Sequence, residues 1–264
     1  MTRHTFHHII ALAALLLTAV AAQGAPSLVA RANAAYDKQL YNDALALYFQ
    51  AERQQGTSAR LCYNVGNTYY RLNNVPRAIL YYERALKLDP TLRQARRNLA
   101  FVREKSQIDD PAGDSMLVTA GEAVLNLMTS NGWAVTALAA FVLALALALC
   151  YMFARRTALR KAGFFGAIAL VAVTAVAIVC ALKQHARATG HDSAIVLVQE
   201  APFVNAPRDG LDKKDVVFTL DNGDKVEVVD SISGKVSESK KTWYKVRNVT
   251  GREAWCDSTV IVVI

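Results

Sequence analysis

The sequence predicts a multidomain chain with three architectures in series: all-α helical hairpins, a pair of apolar helices that cross a membrane, and a small all-β barrel. Three observations predict it. Small and aromatic residues recur with a fixed period near the N-terminus, two charge-free runs of 21 residues follow, and the last stretch breaks into short β-rich segments separated by turn signals.

The repeat comes first. Ala78, Tyr82 and Ala85 have counterparts 34 residues earlier at Ala44, Tyr48 and Ala51, and NVPRAILYYERAL (74–86) echoes LYNDALALYFQAE (40–52). The small residues let helix backbones approach closely, and the tyrosines fill the space between neighbouring hairpins. Pro76 falls in the first turn of a helix, where its missing N–H costs little, and Pro90 ends that helix. This period and the run Val65-Gly66, Tyr69, Ala78, Tyr82, Ala85, Pro90 resemble the tetratricopeptide repeat (TPR), with Cys62 at the place of the pattern's Trp. The first copy is degenerate: Ala32 replaces the Gly, and Tyr36 stands one residue off the aromatic position. LRQARRNLAFVREK (92–105) supplies a capping helix, so residues 25–106 form a TPR domain of two repeats and a cap, about the smallest stack that buries its apolar faces.

Residues 1–24 read as a signal peptide: Arg3 and three histidines precede IIALAALLLTAVAA (9–22), and AVA (19–21) and AQG (22–24) are usable cleavage sites. An uncleaved anchor is the alternative. The two long apolar runs, 133–153 and 162–182, each suffice to cross a bilayer. The loop between them, 154–161, holds four basic residues in eight, whereas the 20 residues before Trp133 hold neither Lys nor Arg. The positive-inside rule therefore predicts a cytoplasmic loop, with the TPR domain and everything beyond the second span facing the periplasm of an inner-membrane protein. Residues 107–132 are a linker. Its DDPAGDS (109–115) is rich in breakers, and Leu117, Ala120, Val124, Leu127 and Met128 then form one helical stripe, suited either to the membrane interface or to packing on the spans or the TPR cap.

After a polar link (183–192), residues 193–264 carry the runs 194–198, 216–220, 225–232, 243–248, 252–257 and 259–264, with turns at DNGD (221–224), SGK (233–235) and TG (250–251). TLDNGDKVEVVD, WYKV and GREAW in this order resemble a bacterial SH3-like (SH3b) domain, with Ala254 where that pattern usually has the Gly of a Gly-Trp pair. Trp243 and Trp255 read as barrel core; the alternative is a binding surface formed by Trp243, Tyr244 and Trp255 for a peptide or glycan.

Charge and chemistry narrow the function. The net charge of +8 is unevenly spread: residues 26–110 carry +5, residues 111–189 carry +4, largely beside the spans, and residues 190–264 carry −2. This distribution argues against nucleic acid as a partner and favours acidic protein segments or anionic headgroups for the TPR face. Cys150 and Cys180 lie in the spans; Cys62 and Cys256 lie in the two exported modules, as small buried residues or, alternatively, as a disulfide. His4, His7 and His8 belong to the leader and complete no metal site, and His185 and His191 fall in the link. No nucleophile elbow, phosphate loop, zinc motif or cysteine–histidine pair within one module appears, so neither enzymatic activity nor a cofactor is predicted.

Taken in order, the parts (leader, TPR stack, two-span hairpin with a basic loop, SH3b tail) resemble the BatE proteins of bacterial aerotolerance operons, over essentially the whole chain. The resemblance implies a stress-linked membrane scaffold whose partners are other Bat proteins with von Willebrand A domains, working beside a MoxR-type ATPase. An SH3b domain also implies peptidoglycan as an alternative ligand. In TPR proteins the groove is lined by the first helix of each repeat. By resemblance those positions are Asn33 and Tyr36, then Arg60, Tyr63, Asn64, Asn67, Tyr70 and Arg71, then Gln94, Arg97 and Asn98. Asn amides can pair with an extended peptide backbone, and Arg can hold a carboxylate through two parallel hydrogen bonds.

Overall fold

The computed structural model describes residues 27–108, 116–207, 213–235 and 240–264; the leader 1–24 and the link 109–115 lie outside the described residues. The chain divides into two compact units between Gly56 and Thr57.

The first unit is one helical hairpin, α1 (Leu28–Asp37) and α2 (Tyr41–Gln55). The Ser27 hydroxyl caps α1 by accepting from the Ala30 N–H at 3.2 Å, and Gln39 turns the chain at φ 62°. Ala32, Ala44, Tyr48 and Ala51 are buried. The Tyr48 hydroxyl donates to Asn33 Oδ1 at 2.6 Å. Burial, with Tyr36 and Asp37 adding to it, pushes the Tyr48 pKa up to about 12, so this donor keeps its proton.

The second unit begins with α3 (Ala59–Arg71), α4 (Val75–Leu88) and α5 (Arg93–Ser106). Ser58 caps α3 and Asn74 caps α4, through bonds of 3.2 and 3.3 Å to Leu61 and Arg77 N–H groups, and Pro76 sits in the first turn of α4. Gly66 has a steric reason. A Cβ there would stand 2.8 Å from two ring carbons of Tyr82, so only hydrogen fits between α3 and α4. The Asn33–Tyr48 bond recurs as Tyr82 to Asn67, at 2.7 Å, each partner displaced by the period read in the sequence.

Next come α6 (Met116–Leu125), α7 (Ser130–Phe153) and α8 (Thr157–Thr189). The last two are long and apolar enough to cross a membrane. The residues buried between them are mostly small, Ala137, Ala140 and Ala144 on α7 and Gly163 and Ala177 on α8. A Cβ on Gly163 would lie 2.8 Å from the Leu147 carbonyl oxygen, the close backbone approach expected where association depends on packing alone. Val135, Leu138, Phe141, Phe165 and Leu182 remain exposed.

Two expectations change here. The polar link predicted at 183–192 is helix as far as Thr189, because Lys183, Gln184 and Arg187 are good helix formers and no breaker precedes Gly190. The linker helix packs on the end of α7 and α8 through Leu125, which lies off the predicted stripe, while Val124, Leu127 and Met128 of the stripe are exposed. The Leu125 carbonyl accepts from Trp133 Nε1 at 3.1 Å and from Gln184 Nε2 at 3.4 Å. Ser130 bonds the Ala181 carbonyl at 3.1 Å, and Arg187 grips Glu122 with both terminal nitrogens. That pairing holds the Glu122 carboxyl below its ordinary pKa.

The remainder is one antiparallel sheet of β1 (Ser193–Val196), β2 (Ala201–Val204), β3 (Val216–Leu220), β4 (Lys225–Lys235), β5 (Lys240–Arg247), β6 (Glu253–Asp257) and β7 (Ile261–Val263), in the order β3-β2-β6-β5-β4-β1-β7. Its core gathers Ala194, Val196, Ala201, Phe203, Val226, Val246, Ala254, Cys256 and Ile261. Strand β2 was not predicted from the sequence, since Pro202 argues against an inner strand. Pro202 pairs with Thr219 in the β2–β3 ladder, but β2 meets β6 only at Val204–Trp255, so at Pro202 the strand has a paired neighbour on one side alone. Ala254 sits regularly in β6 opposite Val246, its methyl filling the core.

Candidate partner-binding groove and the junction behind it

Helices α3 and α5 carry the groove positions of the second unit. Asn67 Oδ1 accepts both the Tyr82 hydroxyl and Asn98 Nδ2, the latter at 2.8 Å, and Asn98 also reaches the Tyr63 hydroxyl at 3.5 Å. These residues tie three helices together. The carbonyl of Asn64 accepts from Thr68 Oγ1 at 2.7 Å. Along α5, Gln94, Arg97 and Phe101 are exposed on one helical stripe, and on α3 Arg60 and Arg71 are exposed. Tyr70 meets Phe101 edge to face at 6.0 Å, and Lys105 Nζ lies 3.1 Å from the Tyr70 hydroxyl and 5.4 Å from its ring centre. Asn33 and Tyr36 belong to the first unit, where Tyr36 packs edge-on against Tyr41 at 5.4 Å.

The predicted positions therefore divide by role. Asn33, Asn67 and Asn98 spend their amides on the fold, and the face left to solvent is basic and aromatic. Sequence reasoning missed Phe101 and Lys105. The signal was present, since they continue the spacing of Gln94 and Arg97 by two further turns.

Helix α4 turns its other residues to the sheet and to α8. Glu83, with a side chain 11 % exposed, receives Arg103 at 2.6 Å and Lys225 at 2.9 Å. Burial acts to raise its pKa, but the two cations and their hydrogen bonds outweigh that and hold the carboxyl below the usual range. Arg84 donates to the main-chain oxygen of Val263 at 3.1 Å. Lys87 donates to that of Ile264 at 2.6 Å and also to Gly190, just past α8, and burial lowers its pKa. The turn 221–224 completes the dock. Gly223, at φ 100°, lies so near Ile79 and Ile108 that a Cβ would approach their Cδ1 atoms to 3.0 and 2.6 Å. A cavity of about 420 Å³ remains among these modules, lined by groups including Lys87, Arg96, Gln184, Arg187 and Asp192. No single segment of the sequence announces this junction, because Glu83 and Lys225 stand 142 residues apart.

On the sheet, strand alternation separates the aromatic residues. Tyr244 packs on the core with Val246 and Cys256. Trp243 and Trp255 point to the opposite face, Trp243 buried at 7 % exposure and Trp255 half-buried. Lys245, Glu253, Arg247 and Glu227 form an ion-pair network beside them, with contacts of 2.6–2.8 Å. Burial pushes the Cys256 thiol up to about 12, so it is protonated at neutral pH. Cys62 is buried within the helical repeat, apart from the core that holds Cys256. Among the described residues no cluster of three or more His, Cys, Asp or Glu side chains has the placement of a metal site.

Comparison with known families agrees with this geometry. The tetratricopeptide repeat model matches residues 59–92, and the bacterial SH3 domain model matches residues 212–261. No curated protein matches the chain. It carries a tetratricopeptide repeat and a bacterial SH3 domain, with two helices long and apolar enough to cross a membrane between them.

Proposed function

We propose that this is a non-catalytic scaffold of a bacterial inner membrane that holds protein partners in the groove of α3 and α5. The observation that carries the reading is the division of labour within the repeat. Helix α4 is occupied by the sheet and by α8, while Arg97 and Phe101 on α5 stand exposed beside Tyr70 and Lys105. Both repeat and sheet lie at the Gly190 end of α8, far along the chain from the basic turn 154–161. The positive-inside rule assigns that turn to the cytoplasm and the two modules to the periplasm. The resemblance to BatE proteins supplies the partner class, membrane proteins with von Willebrand A domains in a stress-tolerance complex, and the short basic groove suits an acidic tail or loop.

Crosslinked co-purification from membranes tests this. Arg97→Ala/Phe101→Ala is expected to lower recovery of a specific membrane partner about tenfold, at unchanged expression and insertion. Asn67 is unsuitable as the test position because its replacement loosens Tyr82 and Asn98. An unchanged partner list would remove the groove from the mechanism.

Peptidoglycan binding by the SH3 domain is the second reading, favoured by half-buried Trp255 on the face away from the core. Detergent-solubilised protein would then sediment with purified cell wall, and Trp255→Ala would reduce the sedimented fraction severalfold. Absence of sedimentation by the wild type counts against it.

A further inference from the structure

The turn joining α7 and α8 carries a second feature that the scaffold reading does not use. Thr157, Arg160, Lys161, Phe164 and Phe165 from α8, with Tyr151 from α7, line a cavity of about 260 Å³. The Arg160 guanidinium lies 5.4 Å from the centre of the Tyr151 ring. Tyr151 and Phe164 pack at 5.5 Å, and Phe164 and Phe165 at 5.3 Å, so one wall is aromatic and the other cationic.

Charge decides what fits. Arg155, Arg156, Arg160 and Lys161 lie within seven residues, and the stretch 123–191 contains no Asp or Glu. The acids that bound it, Glu122 and Asp192, are drawn to the opposite end of the hairpin: Glu122 pairs with Arg187, and Asp192 lines the junction cavity. Arg187 is 27 positions along α8 from Arg160, about 40 Å of helix. The hairpin therefore supplies these cations with no countercharge of its own.

We propose that this cavity binds an anionic glycerophospholipid, its phosphate held by Arg160, Lys161 and the Thr157 hydroxyl and its upper acyl chain lying on Phe164 and Phe165. The phosphate supplies the missing charge, and the exposed aromatic wall matches the acyl end, which a free inorganic anion has no use for. The assignment rests on the membrane-spanning reading. Alkaline extraction of membranes tests that reading separately, since release of the wild-type protein would sink the spans and not the site alone.

The site is tested with the full-length protein in detergent, by native mass spectrometry after adding phosphatidylglycerol and phosphatidylcholine in equal amounts. Wild type is expected to retain phosphatidylglycerol preferentially. Arg160→Gln/Lys161→Gln should lower that retention about thirtyfold, to the phosphatidylcholine level. Arg155→Gln/Arg156→Gln removes the same charge outside the cavity and should leave most of the preference. Phe164→Ala keeps every charge and should still weaken retention. Circular dichroism checks that each variant keeps its helix content. Equal loss in both double variants would mean diffuse attraction and overturn the site, as would a wild type without preference. Displacement of the lipid by millimolar inorganic phosphate would assign the cations to a free anion instead.

Discussion

Glu83→Ala is expected to destabilise the second unit by about 3 kcal/mol and to release the sheet from α4. Removing one member of a buried ion cluster leaves its partners desolvated without compensation, which costs about 3–5 kcal/mol. The lower end applies because the Lys225 side chain is 28 % exposed, whereas that of Arg103 is 7 % exposed. Denaturant unfolding in detergent, followed by tryptophan fluorescence, measures the loss, and hydrogen exchange across α4 and β4 localises it. A change below about 0.5 kcal/mol, the size typical of an exposed pair, would show the triad to be a surface ion pair in practice. Acid provides a second route to the same state. Because the Glu83 pKa is held below the ordinary value, its contribution is complete above the unfolded carboxyl pKa. It is lost as pH falls through the lowered folded value, a window below about pH 4. Glu83→Gln should undock at neutral pH and erase this acid-dependent step.

Gly223→Val is expected to cost about 2–5 kcal/mol. Placing a side chain at φ 100° strains the backbone by about 1–2 kcal/mol. Crowding against Ile79 and Ile108 adds about 1–3 kcal/mol. Gly251 supplies the control: it has φ 81°, and nothing lies within 4 Å of a Cβ built there, so Gly251→Val carries the strain without the contact. The difference between the two variants in exchange protection at Ile79 and Ile108 isolates the dock. Equal effects would place the whole cost in the turns and none in the contact.

The features legible in the sequence are those enforced by local sterics and periodicity. Gly66, Ala78, Tyr82 and Ala85 announced a close helix pair because their sizes permit little else, and the charge-free runs announced α7 and α8. The alternation along 243–248 was visible too, but a strand pattern does not say how its two faces divide: Trp243 is buried as predicted, yet on the face opposite the Val246–Cys256 cluster, and Trp255 beside it is only half-buried. Asn67 looked like a ligand-binding amide because an exposed and an internally bonded asparagine share one sequence pattern. Only the positions of Tyr82 and Asn98 separate the two. Strand β2 was hidden by Pro202, whose penalty depends on a neighbour that the sequence does not name. The dock of Glu83 on Lys225 was illegible for the same reason: it depends on two distant elements meeting, which neither one specifies alone.

The unbroken course of α8 through Gln184 and Arg187 bears on distance. Residues 183–189 extend the helix about 10 Å beyond the apolar run. Three residues separate the end of α8 from β1 at Ser193, while Lys87 ties the repeat to Gly190. In the proposed scaffold, the groove would stand at a set height above the bilayer, as on a fixed stilt. A partner anchored in the same membrane would then be recognised only if its own stalk presented the binding segment at that altitude, and length would become a criterion of selection alongside sequence.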